Sequence, residues 1–400
     1  MRRFTILMFV LLSGSLTTGC RDADVEPRSA TLPFVLDHNR MIVDVEFVRP
    51  DGTLRRARAW VDTGNPHLML TGALARELGF EIGGWSGDGA PVDLAAPAPP
   101  MRLDGLPLRT EGVAVQAVAG DAVLPGIPAE ANLPASVLHR EHVVFDYPAR
   151  RLVVARPGAL EPRGEPVACR VNEGTGLFMI RAVADGDTVA FGVDNGSAGT
   201  WISNALATEW RTRHPDRPHA IGAAGSANFF GFPFECVGTL MRVSDLGIGG
   251  TRLGDVAALG LGQRMFDWYS QKSAGPVAGF IGANVLADFR LEVDYPNRMT
   301  YWTADVRTGP ADLDIVGLTL RPEADGGFVV AAVVARDGRP LVDGVEAGDR
   351  LIRIDGREFA GMTMGAAVDA LRGAPGSTRT LVVEREGQRF AVQAEVLGLP

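Results

Sequence analysis

The stretch that decides the fold is "RARAWVDTGNPHLML", residues 56–70. Small, basic and apolar residues alternate up to Trp60, a pattern typical of a β-strand with one buried face. The strand then ends on Asp62, which is followed by Thr63 and Gly64. A carboxylate at the end of an apolar strand is costly unless the fold supplies a partner for it. The sequence therefore raises the question of whether a second acid faces Asp62.

A second copy of the same pattern occurs later in the chain. "MIVDVEFVRPDGTLRRARAWVDTGNPHLMLTGALARELGF" and "GLFMIRAVADGDTVAFGVDNGSAGTWISNALATEWRTR" each place two β-type runs around a turn, then an acid with a nearby Gly, then a helix-like segment. The second acid is Asp194, followed by Asn195 and Gly196. The segments end alike, in "HVVFDYPARRLVVA" and "FRLEVDYPNRMTYW". The repeat predicts two β-rich lobes, residues 31–156 and 165–305.

Asp-Thr-Gly alone is weak evidence for a functional site. Such a tripeptide often forms an ordinary turn, in which Asp caps the loop and Gly supplies a positive φ. The placement of the two acids favours a paired site, because both lie at the same point of the repeated unit. Each acid ends an apolar strand and opens a Gly-containing turn.

At these residues the chain resembles the aspartic proteases of the pepsin and retropepsin type. The resemblance is carried by "AWVDTGNPHLML" and by "GFIGANVLADFRLEVDYP", in which Phe280-Ile281-Gly282 fits the family's apolar-apolar-Gly signature. It implies that each lobe contributes one acid to a shared cleft. Asp62 and Asp194 would then share one proton and activate a water against a peptide bond, without a cofactor, a metal or a covalent intermediate.

The residues beside the two acids have roles implied by the same resemblance. Gly64 and Gly196 would let the acids approach each other, and Thr63 would hydrogen-bond across the interface between the lobes. Asn195 stands where the family has Thr or Ser, and its amide would take over that role.

Further departures concern the surroundings of the first acid. Asn65 replaces a small residue, and "NLPASVL" places Pro134 at the Gly of the first lobe's signature. These departures keep an alternative open, a catalytically silent peptide-binding lipoprotein on the same scaffold. A purely structural envelope protein is a third possibility, which leaves the paired acids unexplained.

Residues 313–398 resemble a PDZ domain. The resemblance rests on "GGFV" (Gly326, Gly327, Phe328 and Val329), on "VEAGDRLIRIDG" and on the helix-like "GMTMGAAVDALRG". It implies that the Gly-Phe loop presents backbone N–H groups to the terminal carboxylate of a peptide, which extends the adjoining sheet. The alternative is a β-rich domain that packs on the lobes and binds nothing.

The first twenty residues predict export. Arg2 and Arg3 precede a short apolar run that ends in Gly19-Cys20, a pattern that resembles a bacterial lipoprotein signal with Cys20 as the lipidated residue. We expect a protein of the cell envelope anchored by lipid, with plain secretion as the alternative. In an oxidising compartment Cys169 and Cys236 form either a disulfide or two buried thiols.

Charge and composition exclude several classes of partner. The net charge is −9 and no basic stripe stands out, which argues against nucleic acid. No His/Cys cluster has the spacing of metal ligands, so we predict no metal. Since one chain carries both half-sites, a monomer suffices. The sequence predicts a mostly β, exported aspartic endopeptidase acting on peptides or proteins.

Overall fold

The computed structural model describes residues 26–86, 90–226, 237–305 and 313–400. The predicted signal segment with Cys20, and Cys236 of the predicted disulfide, lie outside these ranges. Cys169 is buried, and it forms no disulfide with any described residue. Within the described ranges, no helix has both the length and the apolar character needed to span a membrane.

The first lobe is built almost entirely of β-strands. Its helix α1 begins where the Thr71 hydroxyl accepts a hydrogen bond from the Leu74 N–H, an ordinary N-cap. In chain order its elements are β1 (Ser29–Pro33), β2 (Val35–Asp37), β3 (Arg40–Val48), β4 (Leu54–Asp62), β5 (Leu68–Thr71), α1 (Gly72–Glu77), β6 (Val92–Leu94), β7 (Met101–Leu103), β8 (Leu106–Pro107), β9 (Val115–Val118), β10 (Ala131–Pro134), α2 (Ala135–Leu138), β11 (His142–Asp146) and β12 (Arg151–Ala155).

The second lobe repeats this order. The predicted turn at Asp185-Gly186 is a two-residue hairpin loop, with φ of 53° and 84°, that fits the twist of the strands it joins. Ser203 caps α3 as Thr71 caps α1. The elements are β13 (Glu165–Val171), β14 (Phe178–Ala184), β15 (Asp187–Val193), β16 (Thr200–Ser203), α3 (Asn204–Arg213), β17 (His219–Ile221), β18 (Gly225–Ser226), β19 (Thr239–Val243), β20 (Gly247–Ile248), β21 (Thr251–Arg252), β22 (Val256–Leu261), α4 (Gln263–Lys272), β23 (Gly279–Ile281), α5 (Ala283–Leu286), β24 (Phe289–Asp294) and β25 (Met299–Ala304).

A sheet shared by both lobes joins them. The strands β1, β12, β11, β24, β25 and β13 pair antiparallel in that order. Its centre is the pairing of β11 with β24, the two strands that precede the repeated Asp-Tyr-Pro. One buried apolar cluster continues through the two lobes. The lobes are therefore fixed to each other by main-chain hydrogen bonds and by a common core.

Each lobe places a short strand beside the strand that carries its acid. β10 pairs parallel with β4, with Pro134 level with Asp62, and antiparallel with β5. β23 pairs parallel with β15 and antiparallel with β16, which brings Gly282 level with Asp194. The register shows that Pro134 and Gly282 occupy equivalent positions, as the sequence repeat predicts.

The C-terminal unit is a smaller sheet with one helix. Its strand order is β27, β28, β31, β33, β34 and β26, with β32 on β31. The elements are β26 (Asp314–Val316), β27 (Leu318–Pro322), β28 (Phe328–Val333), β29 (Ala335–Arg336), β30 (Arg339–Pro340), β31 (Arg350–Ile354), β32 (Arg357–Glu358), α6 (Met364–Leu371), β33 (Thr378–Arg385) and β34 (Gln388–Gly398). The predicted mostly β architecture of two lobes and a C-terminal domain is confirmed.

The C-terminal unit packs tightly on both lobes. Its core continues into residues of the first lobe, including Trp60 and Met69, and into Leu240 of the second. At the start of α6, the Met364 N–H donates to the Gly126 carbonyl at 2.8 Å. This unit is therefore part of the same folded body as the lobes.

Candidate active site

The structure brings Asp62 and Asp194 together at the interface of the lobes. Asp62 ends β4, and Asp194 follows β15 directly. Their exposed fractions are only 4% and 3%, and a hydrogen bond joins the two side chains. Two buried carboxyls in contact cannot both ionise cheaply, so the arrangement favours a single shared proton.

Backbone N–H groups orient each carboxyl. The Gly64 N–H donates to Asp62 Oδ1 at 3.0 Å, and the Gly196 N–H donates to Asp194 Oδ1 at 2.9 Å. Asp194 Oδ1 accepts a further bond from the Ser197 N–H at 3.2 Å. Asp194 therefore has one N–H donor more than Asp62, which stabilises its ionised form.

Burial raises the pKa of both carboxyls. Burial, with the neighbouring Asp194 carboxyl as the second cause, raises the pKa of Asp62 well above its usual range. Burial also raises the pKa of Asp194, against the N–H donors of Gly196 and Ser197 and the hydrogen bond from Asp62. The additional N–H donor on Asp194 favours the arrangement in which Asp62 carries the shared proton and Asp194 is ionised.

A hydrogen-bond exchange ties the two acid-bearing turns together. The Thr63 hydroxyl donates to the Val193 carbonyl at 3.0 Å and accepts from the Asn195 N–H at 3.1 Å. In return Asn195 Oδ1 accepts from the Thr63 N–H at 2.9 Å. Asn195 thus reproduces the acceptor half of a hydroxyl's role, while its buried Nδ2 has no partner among the described residues.

Both glycines that follow the acids are required by close contact. A Cβ on Gly64 would lie 2.4 Å from the Asp194 carboxyl carbon, and a Cβ on Gly196 would lie 2.2 Å from Asp62 Oδ1. Such distances are far inside van der Waals contact. A side chain at either position would therefore force the two acids apart.

The carboxyl pair lies in an open cleft of about 910 Å³. The wall of the second lobe is formed by α4. The lining is largely apolar and aromatic, with several basic side chains; it includes Trp60, Met69, Met265, Trp268, Tyr269, His67, Arg264 and Lys272. A cleft of this size, with a largely apolar lining around a reactive pair, suits an extended peptide.

Reasoning from sequence missed Arg40, which the structure places beside the carboxyl pair. This arginine is buried, its Nε donates to the Gly196 carbonyl at 2.9 Å, and its charge partly opposes the rise that burial causes in the pKa of both acids. The only signal in the sequence is "DHNR" between two short β-type runs, which predicts a hairpin but no contact with a distant turn.

The predicted carboxylate loop of the C-terminal unit differs from expectation. Gly326 forms a turn with φ of 77°, the Gly327 N–H is held by Asp325, and Phe328 is buried. The strand that starts at Phe328 and continues through Val329, β28, pairs with β27 on one side and β31 on the other. A peptide cannot extend the sheet here, because both edges of β28 are occupied.

A strand added to this sheet would pair with the outer edge of β27. In this protein a segment of the second lobe already occupies that edge. Strand β18 pairs parallel with β27, with Gly225 level with Thr319. The Thr319 hydroxyl donates to the Ala223 carbonyl, and Gly225 lies against Val368 of α6. The position between β27 and α6 is therefore filled from within the chain.

Comparison with known proteins bears on the two parts separately. The PDZ domain family matches residues 309–384. The C-terminal unit is a PDZ domain. No curated protein matches the chain.

Solved structures resemble the chain at low similarity. An aspartic proteinase from Irpex lacteus has 12% identity and a TM-score of 0.40, over 69% of this chain and 97% of that one. Basic 7S globulin from soybean has 8% identity and a TM-score of 0.40, over 70% of this chain and 96% of that one. Neither likeness carries an argument about activity.

Proposed function

We propose that the protein is an aspartic endopeptidase that hydrolyses peptide bonds with Asp62 and Asp194. The observation that carries the proposal is the pair of buried, hydrogen-bonded carboxyls, one from each lobe, in a cleft large enough for a peptide. Thr63, Gly64, Asn195 and Gly196 support the pair. A scaffold without catalytic function has no use for two buried acids held in contact, since separating or replacing them would be more stable.

In this proposal the two acids have different roles, which their unequal hydrogen bonding to backbone N–H groups supports. Ionised Asp194 accepts a proton from a water as that water attacks the carbonyl carbon of the peptide bond. Protonated Asp62 donates its proton to the carbonyl oxygen, so the tetrahedral intermediate is neutral. Collapse returns a proton from the diol to Asp62 and passes the proton on Asp194 to the leaving amine, which restores the starting state.

The pH profile tests this proposal. Because burial raises the pKa of both acids, the singly protonated pair should persist above the usual range of carboxyls, so cleavage should extend from acid toward neutral pH before the shared proton is lost. The measurement is hydrolysis of an unfolded protein substrate across that range, with and without a statine-type inhibitor. Absence of cleavage at every pH would favour the silent scaffold, and cleavage that ignores the inhibitor would assign the activity to other residues.

We also propose that the PDZ domain binds peptide C-termini at the edge of β27, in competition with the chain's own Gly225–Ser226 strand. The match to the PDZ family supports peptide binding, and the occupied edge implies that a ligand must displace this strand. Binding to the wild-type protein should therefore be weak.

Thr319→Val should strengthen this binding. The change removes the hydrogen bond to the Ala223 carbonyl, which stabilises the docked strand by about 1 kcal/mol, so affinity for a free C-terminal peptide should rise roughly five-fold. Fluorescence polarisation with labelled peptides measures this, and the same peptides with amidated termini serve as the control. Equal binding of amidated peptides, or an unchanged affinity in the variant, would contradict the proposed site.

The proposal further places the enzyme in the cell envelope. Its support is the sequence of residues 1–20, which reads as a lipoprotein signal ending at Cys20. Fractionation of cells, followed by extraction of membranes with detergent, tests this location.

A further inference from the structure

A tight hairpin connects the first lobe to the second acid-bearing turn. Strands β2 and β3 pair with Asp37 level with Arg40, and the loop consists of His38 and Asn39 with φ of 46° and 62°. Two successive residues with positive φ form the turn type that suits a two-residue hairpin. The hairpin aims Arg40 away from its own strand pair and toward the second lobe, where Asn39 Nδ2 also reaches the Ala198 carbonyl at 3.4 Å.

Arg40 lies next to both acids. In the pairing of β3 with β4, Ile42 is level with Trp60, so two further steps in the same register bring Arg40 level with Asp62. Its Nε bonds the carbonyl of Gly196, whose own N–H bonds Asp194. The side chain is thus within one peptide group of the second acid and beside the end of the strand that carries the first.

We propose that Arg40 is a positioning residue for the carboxyl pair: it fixes the peptide of Gly196 and supplies a positive charge that favours ionisation of one acid in a buried site. The proposal rests on the proposed function. A single buried guanidinium does both, because its fork makes directional hydrogen bonds and its charge is permanent.

His38 holds the guanidinium in place. Arg40 Nη1 lies 2.9 Å from His38 Nδ1, and since arginine can only donate, the ring nitrogen must accept. Burial, together with the charges of Arg40 and Arg372, lowers the pKa of His38 well below its usual range. His38 is therefore neutral, with its proton on Nε2, and it adds no charge to the site.

Other ionisable groups near the pair contribute less. Burial raises the pKa of Tyr147, with the charge of Asp194 as a further cause, so Tyr147 stays neutral throughout the working range. The charge of Arg372 acts on His38. His67, Arg264 and Lys272 line the open cleft, where solvent screens their charges. Arg40 is therefore the cation whose removal should alter the titration of the pair.

Two substitutions separate charge from hydrogen bonding. Arg40→Gln removes the charge and keeps a donor for the Gly196 carbonyl. Arg40→Lys keeps the charge and loses the planar set of N–H donors of the guanidinium. Without the cation, ionisation of the pair is less favourable, so both limbs of the pH profile should move upward by about one pH unit in the Gln variant. In the Lys variant the limbs should stay near their wild-type positions, with kcat reduced by about ten-fold and KM unchanged.

The experiment is the pH dependence of kcat/KM for wild type, Arg40→Gln and Arg40→Lys, with thermal unfolding to confirm that each variant is folded. In parallel, the infrared carbonyl band of the protonated carboxyl, assigned by its loss in Asp62→Asn, follows the titration of the pair without turnover. If the titration midpoint of this band moves to higher pH in Arg40→Gln, the inference is supported even if the protein cleaves nothing. In that case only the proposed function fails. Coincident titrations in all three proteins, or equal shifts in the Gln and Lys variants, would overturn it.

Discussion

Asp62→Asn and Asp194→Asn should each abolish peptide cleavage and leave the protein folded. One acid must accept a proton while the other donates, so neither can replace its partner. Each single variant should lose at least about a thousand-fold in kcat/KM, and the double variant should be no worse, as expected for residues that act as a unit. The assay is hydrolysis of an unfolded protein substrate, with Asp104→Asn, in an exposed turn of the first lobe, as the control.

The same variants should be more stable than the wild type at neutral pH. The pKa of each acid is raised in the folded protein. The pair therefore costs no stability at a pH below the usual carboxyl range, where both acids are protonated. The free energy of unfolding then decreases as the pH rises through the raised pKa values. Replacing one acid removes this pH-dependent loss of stability. The gain in free energy of unfolding should be on the order of 1 kcal/mol or more at neutral pH and should vanish in acid. Full activity in either variant, or a stability gain that is independent of pH, would falsify the shared-proton pair.

Gly196→Ala and Gly64→Ala should reduce peptide cleavage nearly as much as the Asp→Asn variants do, because the added methyl group would clash with the opposite acid. The added methyl group would occupy space now held by the opposite carboxyl, at 2.2 Å from Asp62 Oδ1 for Gly196 and 2.4 Å from the Asp194 carboxyl carbon for Gly64. The acids must separate or the lobes must shift. We expect a loss of about 1–3 kcal/mol in stability and at least about a hundred-fold in kcat, since the pair would be misplaced by about an ångström.

Gly199→Ala is the matched control for this steric prediction. Gly199 lies in the same loop as Gly196, its φ is not positive, and a Cβ there meets no atom within 4 Å. Thermal unfolding and hydrolysis rates of the three variants distinguish crowding of the acids from a general effect of alanine in this loop. Wild-type activity in Gly196→Ala, or equal losses in Gly199→Ala, would contradict the steric explanation.

Much of the architecture could be predicted because the chain repeats itself. Two copies of a strand, turn, acid and helix pattern indicated two lobes, and the equivalence of Pro134 with Gly282 followed from aligning the copies. The glycines beside the acids were also predictable, since a residue without a Cβ next to a carboxylate suggests close approach. These features depend on residues that are close together in the chain, and such patterns can be recognised in a single sequence.

Contacts made across the fold could not be predicted in the same way. Arg40 reaches a turn in the other lobe, and nothing near it in the sequence differs from an ordinary hairpin. The docking of Gly225–Ser226 on β27 depends on how the PDZ domain packs against the second lobe. The peptide-binding loop was placed at Gly326–Val329 by resemblance, while the position of an added strand depends on which sheet edge remains free, a property of the folded sheet.

Among the described residues, the hairpin that carries Arg40 has no counterpart at the equivalent position of the second lobe. In the pairing of β14 with β15, Met179 is level with Gly192, so the residue level with Asp194 is the buried Leu177. A symmetric dimer would have to present the same side chain on both sides of its site. Here the position is cationic in one lobe and aliphatic in the other, so the surroundings of the two acids differ. With both halves of the site in one chain, the two sides are free to differ in this way, which two identical subunits would not allow.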